Sequence, residues 1–309
     1  MHPAYSVILF TTASGAGYGL LALLGLAGAS HGPASSAAFA LAASFIALAL
    51  VTIGLLSSML HLGRPERAWR AFSQWRSSWL SREGVASVVT YAPALAFAAI
   101  WSGVIDAPQL IGPLGIIAAI MCVVTVYCTA KIYSTLPTIR AWAQPLTAPV
   151  YLAFSLVTGA SLMTAIAAVF NRFQSFQVIV AVAALMLLAG LKFFYWRAID
   201  RAEKTRTIEA ATGLGRIGSV TQWELPHTAT NFIQKEMGYA VARKHSAALR
   251  SFVFLLLALA LLAMLASLAA PLIAVLAAVF ALAAAVVERW LFFAEAQHVV
   301  TLYYGEKRA

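Results

Sequence analysis

His61-Leu-Gly-Arg-Pro-Glu-Arg-Ala-Trp-Arg-Ala-Phe-Ser-Gln-Trp-Arg-Ser-Ser-Trp-Leu-Ser-Arg-Glu83-Gly84 separates two apolar runs, 37–60 and 85–105, each long enough to cross a bilayer. The stretch is therefore a surface connection between membrane spans. Gly63 and Pro65 end one helix and suit the start of another, since proline fits the first turn. Trp69, Phe72, Trp75 and Trp79 recur at three- or four-residue steps, with Arg64, Arg67, Arg70, Arg76 and Arg82 around them. An apolar stripe edged with arginine reads as a helix lying in the membrane interface. His61 closes one span and Glu83 opens the next, so both belong to the same membrane face. Two readings stand for this pair: caps that engage nearby arginines such as Arg64 or Arg82, or functional groups at the mouth of a helix bundle.

Composition supports the membrane reading. Hydrophobic residues make up 62% of the 309, charged ones 10%, and the mean hydropathy is +0.85. The net charge of +10 then records orientation rather than a nucleic-acid partner. Cys122 and Cys128, six apart in one apolar run, point to different helix faces. They supply too few thiolates for an iron–sulfur cluster, and no disulfide is expected. The N-terminus lacks the basic segment of a cleaved signal peptide, so the first apolar run is expected to remain as a span.

The fold expected is all-α, a bundle of eight transmembrane helices over 5–29, 37–60, 85–105, 112–135, 147–170, 176–197, 250–269 and 272–294. Gly15 and Gly19 in the first span form a small-xxx-small pair that admits a close neighbour, a helix of the same monomer in preference to a second copy of the chain. An even count places both termini on one side with the second, fourth and sixth connections. These carry the arginines of 64–82, Arg140, and most of the basic residues from Arg197 to Arg250, while the opposite connections hold little beyond Asp106 and Arg172. The positive-inside rule makes the charged side cytoplasmic. The sixth connection, 198–249, is too long for an idle turn and mixes aromatics with balanced charge, as a docking surface would. In the last span Glu288, Glu295 and His298 are spaced seven and three apart. That spacing predicts one face of a helix continuing beyond the bilayer, and a proton path is one use for it; Glu288 itself is expected near the interfacial boundary, where it could pair with Arg289 or line a polar pocket. Lys131 and Lys192, near span ends, are expected to snorkel to the surface.

None of the six histidines, His2, His31, His61, His227, His245 and His298, falls mid-span, which argues against haem between helices. Secondary transport remains the alternative. Transporters tend to show repeats and midplane polar sites, whereas here no clear repeat is found and polar residues gather at one face. That one-sidedness suits a quinone or quinol dissolved in the bilayer. Such a carrier needs an apolar slot with proton-active groups at its mouth, and a redox partner docked on the charged face.

The run His61-Leu-Gly-Arg-Pro-Glu-Arg-Ala68, followed by Ser78-Trp-Leu-Ser-Arg-Glu83, resembles the membrane-anchor subunits of dimethyl-sulfoxide-reductase-type molybdoenzymes, the DmsC type. His2-Pro-Ala-Tyr-Ser-Val-Ile-Leu-Phe-Thr-Thr12, the Ser14–Gly19 run, Lys131-Ile-Tyr133 and the polar end of the last span extend the resemblance over most of the chain. It implies an eight-helix anchor in a bacterial inner membrane, without haem, that reacts with menaquinone or ubiquinone. It also implies a ferredoxin-like iron–sulfur subunit and a molybdopterin catalytic subunit as partners, with membrane lipid around the anchor. Quinone-site residues implied by the match are His61, Gly63, Arg67 and Glu83. The long connection, with Pro226-His-Thr228, Asn231-Phe232 and Ala242-Arg-Lys-His245, looks more like the anchors of cytoplasmic sulfite-oxidising enzymes, which leaves the substrate and the direction of electron flow open.

Overall fold

In a bilayer core every backbone N–H and C=O must find its partner inside the segment, so each apolar run closes into a helix. The structure, a computed structural model, describes residues 3–60, 62–202, 206–224, 231, 241–304 and 306, with the side chains of 241–244 excepted. Eight helices long and apolar enough to span a membrane are present among them. They are α1 (Tyr5–His31), α2 (Ala37–Met59), α3 (Trp79–Trp101), α4 (Ile111–Ser134), α5 (Thr147–Val169), α6 (Ser175–Arg201), α8 (Val241–Ala266) and α9 (Ala274–Ala294). A short α7 (Ile208–Thr212) lies in the sixth connection. The all-α expectation holds. Local chemistry ends the helices: Gly32, at φ 73°, returns its N–H to Gly28 O, and Ser36 Oγ accepts from Phe39 N–H at the start of α2.

Burial sorts the helices into centre and rim. In α1 and α5, 72% of the most apolar window is buried within the protein, against 28–39% in the other six. The rim helices turn Phe45, Leu56 and Ile179 outward, as lipid-facing surfaces require. Glycines explain why α1 can sit at the centre. A Cβ at Gly17 would meet Ala47 O of α2 at 2.6 Å. One at Gly25 would collide with the Gly115 carbonyl of α4, and one at Gly19 with the Ser155 carbonyl of α5. Gly159 of α5 meets Gly19 from the other side, and Ser155 Oγ donates to Gly15 O at 2.7 Å. The small-residue contact is thus internal, but it pairs Gly19 with Gly159. A Cβ at Gly15 would meet nothing within 4 Å. Gly159→Val should lower the midpoint of thermal unfolding in detergent by the equivalent of about 1–3 kcal/mol or prevent folding, whereas Gly15→Ala should leave it nearly unchanged. Equal effects would refute the assignment of the crossing.

Two elements differ from the sequence reading. The helix over the tryptophan–arginine stretch is a 3-10 helix, Pro65–Phe72, with no residue buried in the protein. Arg70, Arg76 and Arg82 lie over the rings of Trp69, Trp75 and Trp79 at 5.7, 5.5 and 4.3 Å, an arrangement suited to the interface. The last helix does not run on to His298. α9 stops at Ala294, His298 pairs with Ile139 in an antiparallel bridge, and Val299–Tyr304 forms a 3-10 helix. Glu288, Glu295 and His298 therefore do not share one helical face. The turn is held by Val299 N–H to Thr138 O and by Arg250, which grips the Glu295 carboxylate at 2.8 and 3.1 Å.

Candidate functional site

α3 begins at Trp79, six residues before the apolar run, so Glu83 sits inside the helix and not on the connection. The i, i+4, i+7 spacing then puts Glu83, Ser87 and Thr90 on one buried face against α4. There Thr125 and Thr129, one turn apart, present their hydroxyls. Thr129 Oγ1 bonds Glu83 Oε1, and Thr90 and Thr125 hydroxyls lie 3.2 Å apart. Thr129 Oγ1 also lies 3.1 Å from Thr125 O. One hydroxyl carries one proton, so it cannot donate to both acceptors at once. If Glu83 is ionised, Thr129 donates to it; if Glu83 is protonated, it can donate to Thr129, whose own proton turns to Thr125 O. The contact accommodates either protonation state.

Glu83 forms no ion pair among the described residues, although Arg82 is its neighbour. Arg82 instead donates to Trp75 O at 3.0 Å and Arg76 O at 2.7 Å, turning back toward the connection. Lys131 lies over the rings of Trp79 and Tyr127. The connection is tied to α3 by Ser81, whose hydroxyl bonds Ala71 O and accepts Gln74 N–H at 3.0 Å. His61 lies outside the described residues, as do Pro226–Thr228 and Phe232. Gly63 is exposed with open space where a Cβ would be, and Arg67 is half exposed with Glu66 at 4.0 Å. Neither is among the groups bonded to Glu83.

Beyond Thr129 a polar cavity of about 20 Å³ opens between α1, α4, α5 and α9, lined by Thr12, Ser14, Tyr151, Thr158 and Arg289 among others. It is the size one water molecule needs. Its far wall belongs to a charge cluster of which the sequence reading offers only the Glu288–Arg289 pair. Lys192 Nζ lies 2.7 Å from Glu288 Oε1, and Arg289 Nε lies 3.5 Å from Glu288 Oε2. All three side chains are at most 3% exposed. Lys192 therefore does not snorkel. α6 runs on to Arg201, nine residues beyond it, or roughly 14 Å at 1.5 Å per residue, farther than a lysine reaches. Its ammonium lies over the rings of Tyr195 and Trp196 at 4.0 and 4.1 Å, and the Arg289 guanidinium lies 3.5 Å from the Tyr151 ring centre. Tyr151 also belongs to an aromatic cluster with Tyr133, Trp142 and Phe292, in which Trp142 Nε1 donates to Phe292 O at 2.8 Å. The Glu288–Arg289 pairing is legible from their adjacency; that Lys192, ninety-six residues earlier, completes the cluster is not.

At the membrane face nearer α9's end, Arg250 joins Glu295 to Asp200 at 2.9 Å. Burial pushes the Glu295 carboxyl up, and the Arg250 guanidinium opposes that shift. Burial lowers the pKa of His298, whose Nδ1 accepts Val300 N–H at 3.0 Å. Glu288 and Glu295 are thus each engaged by cations, whereas Glu83 has a hydroxyl partner.

An eight-helix bundle with a buried carboxyl behind a tryptophan–arginine connection defines the class. Residues 1–305 match the DMSO reductase anchor subunit (DmsC) family, and the chain belongs to that family. It is a multi-pass membrane protein of the anchor class that serves molybdoenzyme complexes. It is 33% identical over 326 residues to a sulfite dehydrogenase subunit from Allochromatium vinosum, an alignment covering 98% of this chain and 99% of that protein.

Proposed function

We propose that this chain is the quinone-reacting anchor of a molybdopterin oxidoreductase, with the quinone head group held near Glu83. The observation that carries the proposal is Glu83 itself: a buried carboxyl one turn inside the membrane helix, bonded to Thr129 and free of any ion pair among the described residues. A quinone exchanges two electrons together with two protons. Glu83 moves protons between the head group and the aqueous face, and His61 hydrogen-bonds a ring oxygen and exchanges a proton near neutral pH. Arg67 balances negative charge on that oxygen, and Gly63 leaves room for the head group beside the backbone.

The electrons belong to an iron–sulfur subunit docked on the charged face, with the molybdopterin subunit beyond it. Similarity to a sulfite dehydrogenase subunit supports sulfite oxidation there, with electrons running into the quinone pool and Glu83 delivering protons inward. A photoreactive quinone analogue should cross-link to peptides of 61–84 and α4 in the assembled complex, and should lose that label when excess quinone is added. Labelling confined to other helices would reject the site.

Both termini and the 198–249 connection are assigned to the cytoplasm of a bacterial inner membrane from the one-sided basic charge. Trp223 and Ile217, 96% and 86% exposed outside the spans, support a partner surface there. A cysteine placed by Trp223→Cys, beside the buried native Cys122 and Cys128, should react with an impermeant maleimide only after the cells are opened. In opened cells it should react severalfold faster once the soluble subunits are stripped. Labelling of intact cells would reverse the orientation, and equal rates with and without the subunits would remove the docking role.

A further inference from the structure

On the face opposite the 61–84 connection, a crevice of about 740 Å³ opens between the end of α1, the start of α2, the end of α5 and the first turns of α6. It is far larger than the polar cavity beside Thr129 and of the opposite character. Leu23, Phe39, Met163 and Val180 form its walls. Leu26 and Phe176, 50% and 65% exposed, stand at its edge, so it opens sideways to the surrounding lipid. At its mouth is Arg172, on a turn where Asn171 takes a left-handed φ of 56° and Arg172 N–H bonds Ala167 O at 2.7 Å. No acidic residue lines the crevice, and Arg172 makes no ion pair among the described residues. The start of α6, capped by Gln174, adds the partial positive charge of a helix N-terminus to the same mouth.

We propose that this crevice is a binding site for an anionic phospholipid. The acyl chain lies along the Leu23–Met163–Phe176 wall, and the phosphate pairs with the Arg172 guanidinium. Charge complementarity selects the head group, because a fixed cation in an acid-free mouth favours an anionic lipid over a zwitterionic one. A quinone ring is neutral and lacks the charge that the fixed Arg172 cation complements, so it is not the occupant favoured here. The proposal rests on the chain spanning a membrane and is independent of the quinone reading.

The complex, purified in mild detergent and placed in phosphatidylcholine nanodiscs with added spin-labelled phosphatidylglycerol, should retain phosphatidylglycerol in preference to spin-labelled phosphatidylcholine. Arg172→Gln should lower that retention about fivefold, the effect of roughly one basic side chain near a membrane surface. Arg172→Lys should preserve most of it, and phosphatidylcholine retention should not change in either variant. Met163→Trp, which fills the crevice, should lower retention of both lipids. Quinone-coupled turnover at saturating quinone should survive Arg172→Gln, which separates this site from the one at Glu83. Equal retention of the two lipids, or no change in Arg172→Gln, would overturn the proposal. So would displacement of the lipid by inorganic phosphate alone, which marks a plain anion site, or by a soluble quinone analogue.

Discussion

Glu83→Gln in the assembled complex is expected to lower quinone-coupled turnover by at least about a hundredfold, the low end of what a positioned proton-transfer group contributes. Reduction or oxidation of a soluble dye by the partner subunits should continue at nearly the wild-type rate. Glutamine keeps the shape of glutamate and can still accept from Thr129, so the α3–α4 contact survives while the exchangeable proton is lost. A dye rate that stays high shows that the partner subunits are active, and subunits quantified on the membrane show that the complex has assembled. His61→Ala should give the same separation of the two activities. Unchanged quinone turnover in Glu83→Gln would remove the carboxyl from the mechanism. Loss of both activities would remove it too, as a structural rather than a proton-moving group, if quantified subunits showed the complex had fallen apart.

The second large effect concerns Lys192, Glu288 and Arg289, where two cations share one carboxylate within the bundle. Removing the carboxylate leaves two like charges buried together with no anion. Removing Lys192 leaves Glu288 with Arg289 at 3.5 Å and a balanced pair. Glu288→Leu should therefore cost about 3–5 kcal/mol, as breaking a buried pair does, and appear as a lowered thermal midpoint or as failure to accumulate in the membrane. Lys192→Met should cost markedly less, because methionine can fill the stem's volume against Tyr195 and Trp196. The order of the two variants is the prediction. If Lys192→Met were the worse of the two, the 2.7 Å bond and not the charge balance would govern the cluster. Replacing all three by apolar residues should restore much of the loss, since a well-packed apolar substitute for buried charges is often neutral.

Eight runs of span length, and with them the all-α bundle, were set by the sequence, because a bilayer core leaves a long apolar run no alternative to a helix. The 61–84 stretch also announced its family through a dense motif, and the match over residues 1–305 agrees with it. Side-chain partnership was another matter. Glu83 read as a residue of the membrane surface, and only the early start of α3 at Trp79 carries it inside to meet Thr129, forty-six positions away. Lys192 read as a snorkelling lysine because the length of α6 beyond the apolar run could not be seen. Its carboxylate partner lies ninety-six residues downstream. Gly15 and Gly19 read as one pair, yet the close crossing belongs to Gly19 and Gly159. Hydropathy is a local property and fixes where the chain crosses the membrane. Which faces of the helices meet depends on their rotation and crossing, and those are decided by packing between residues far apart in the chain.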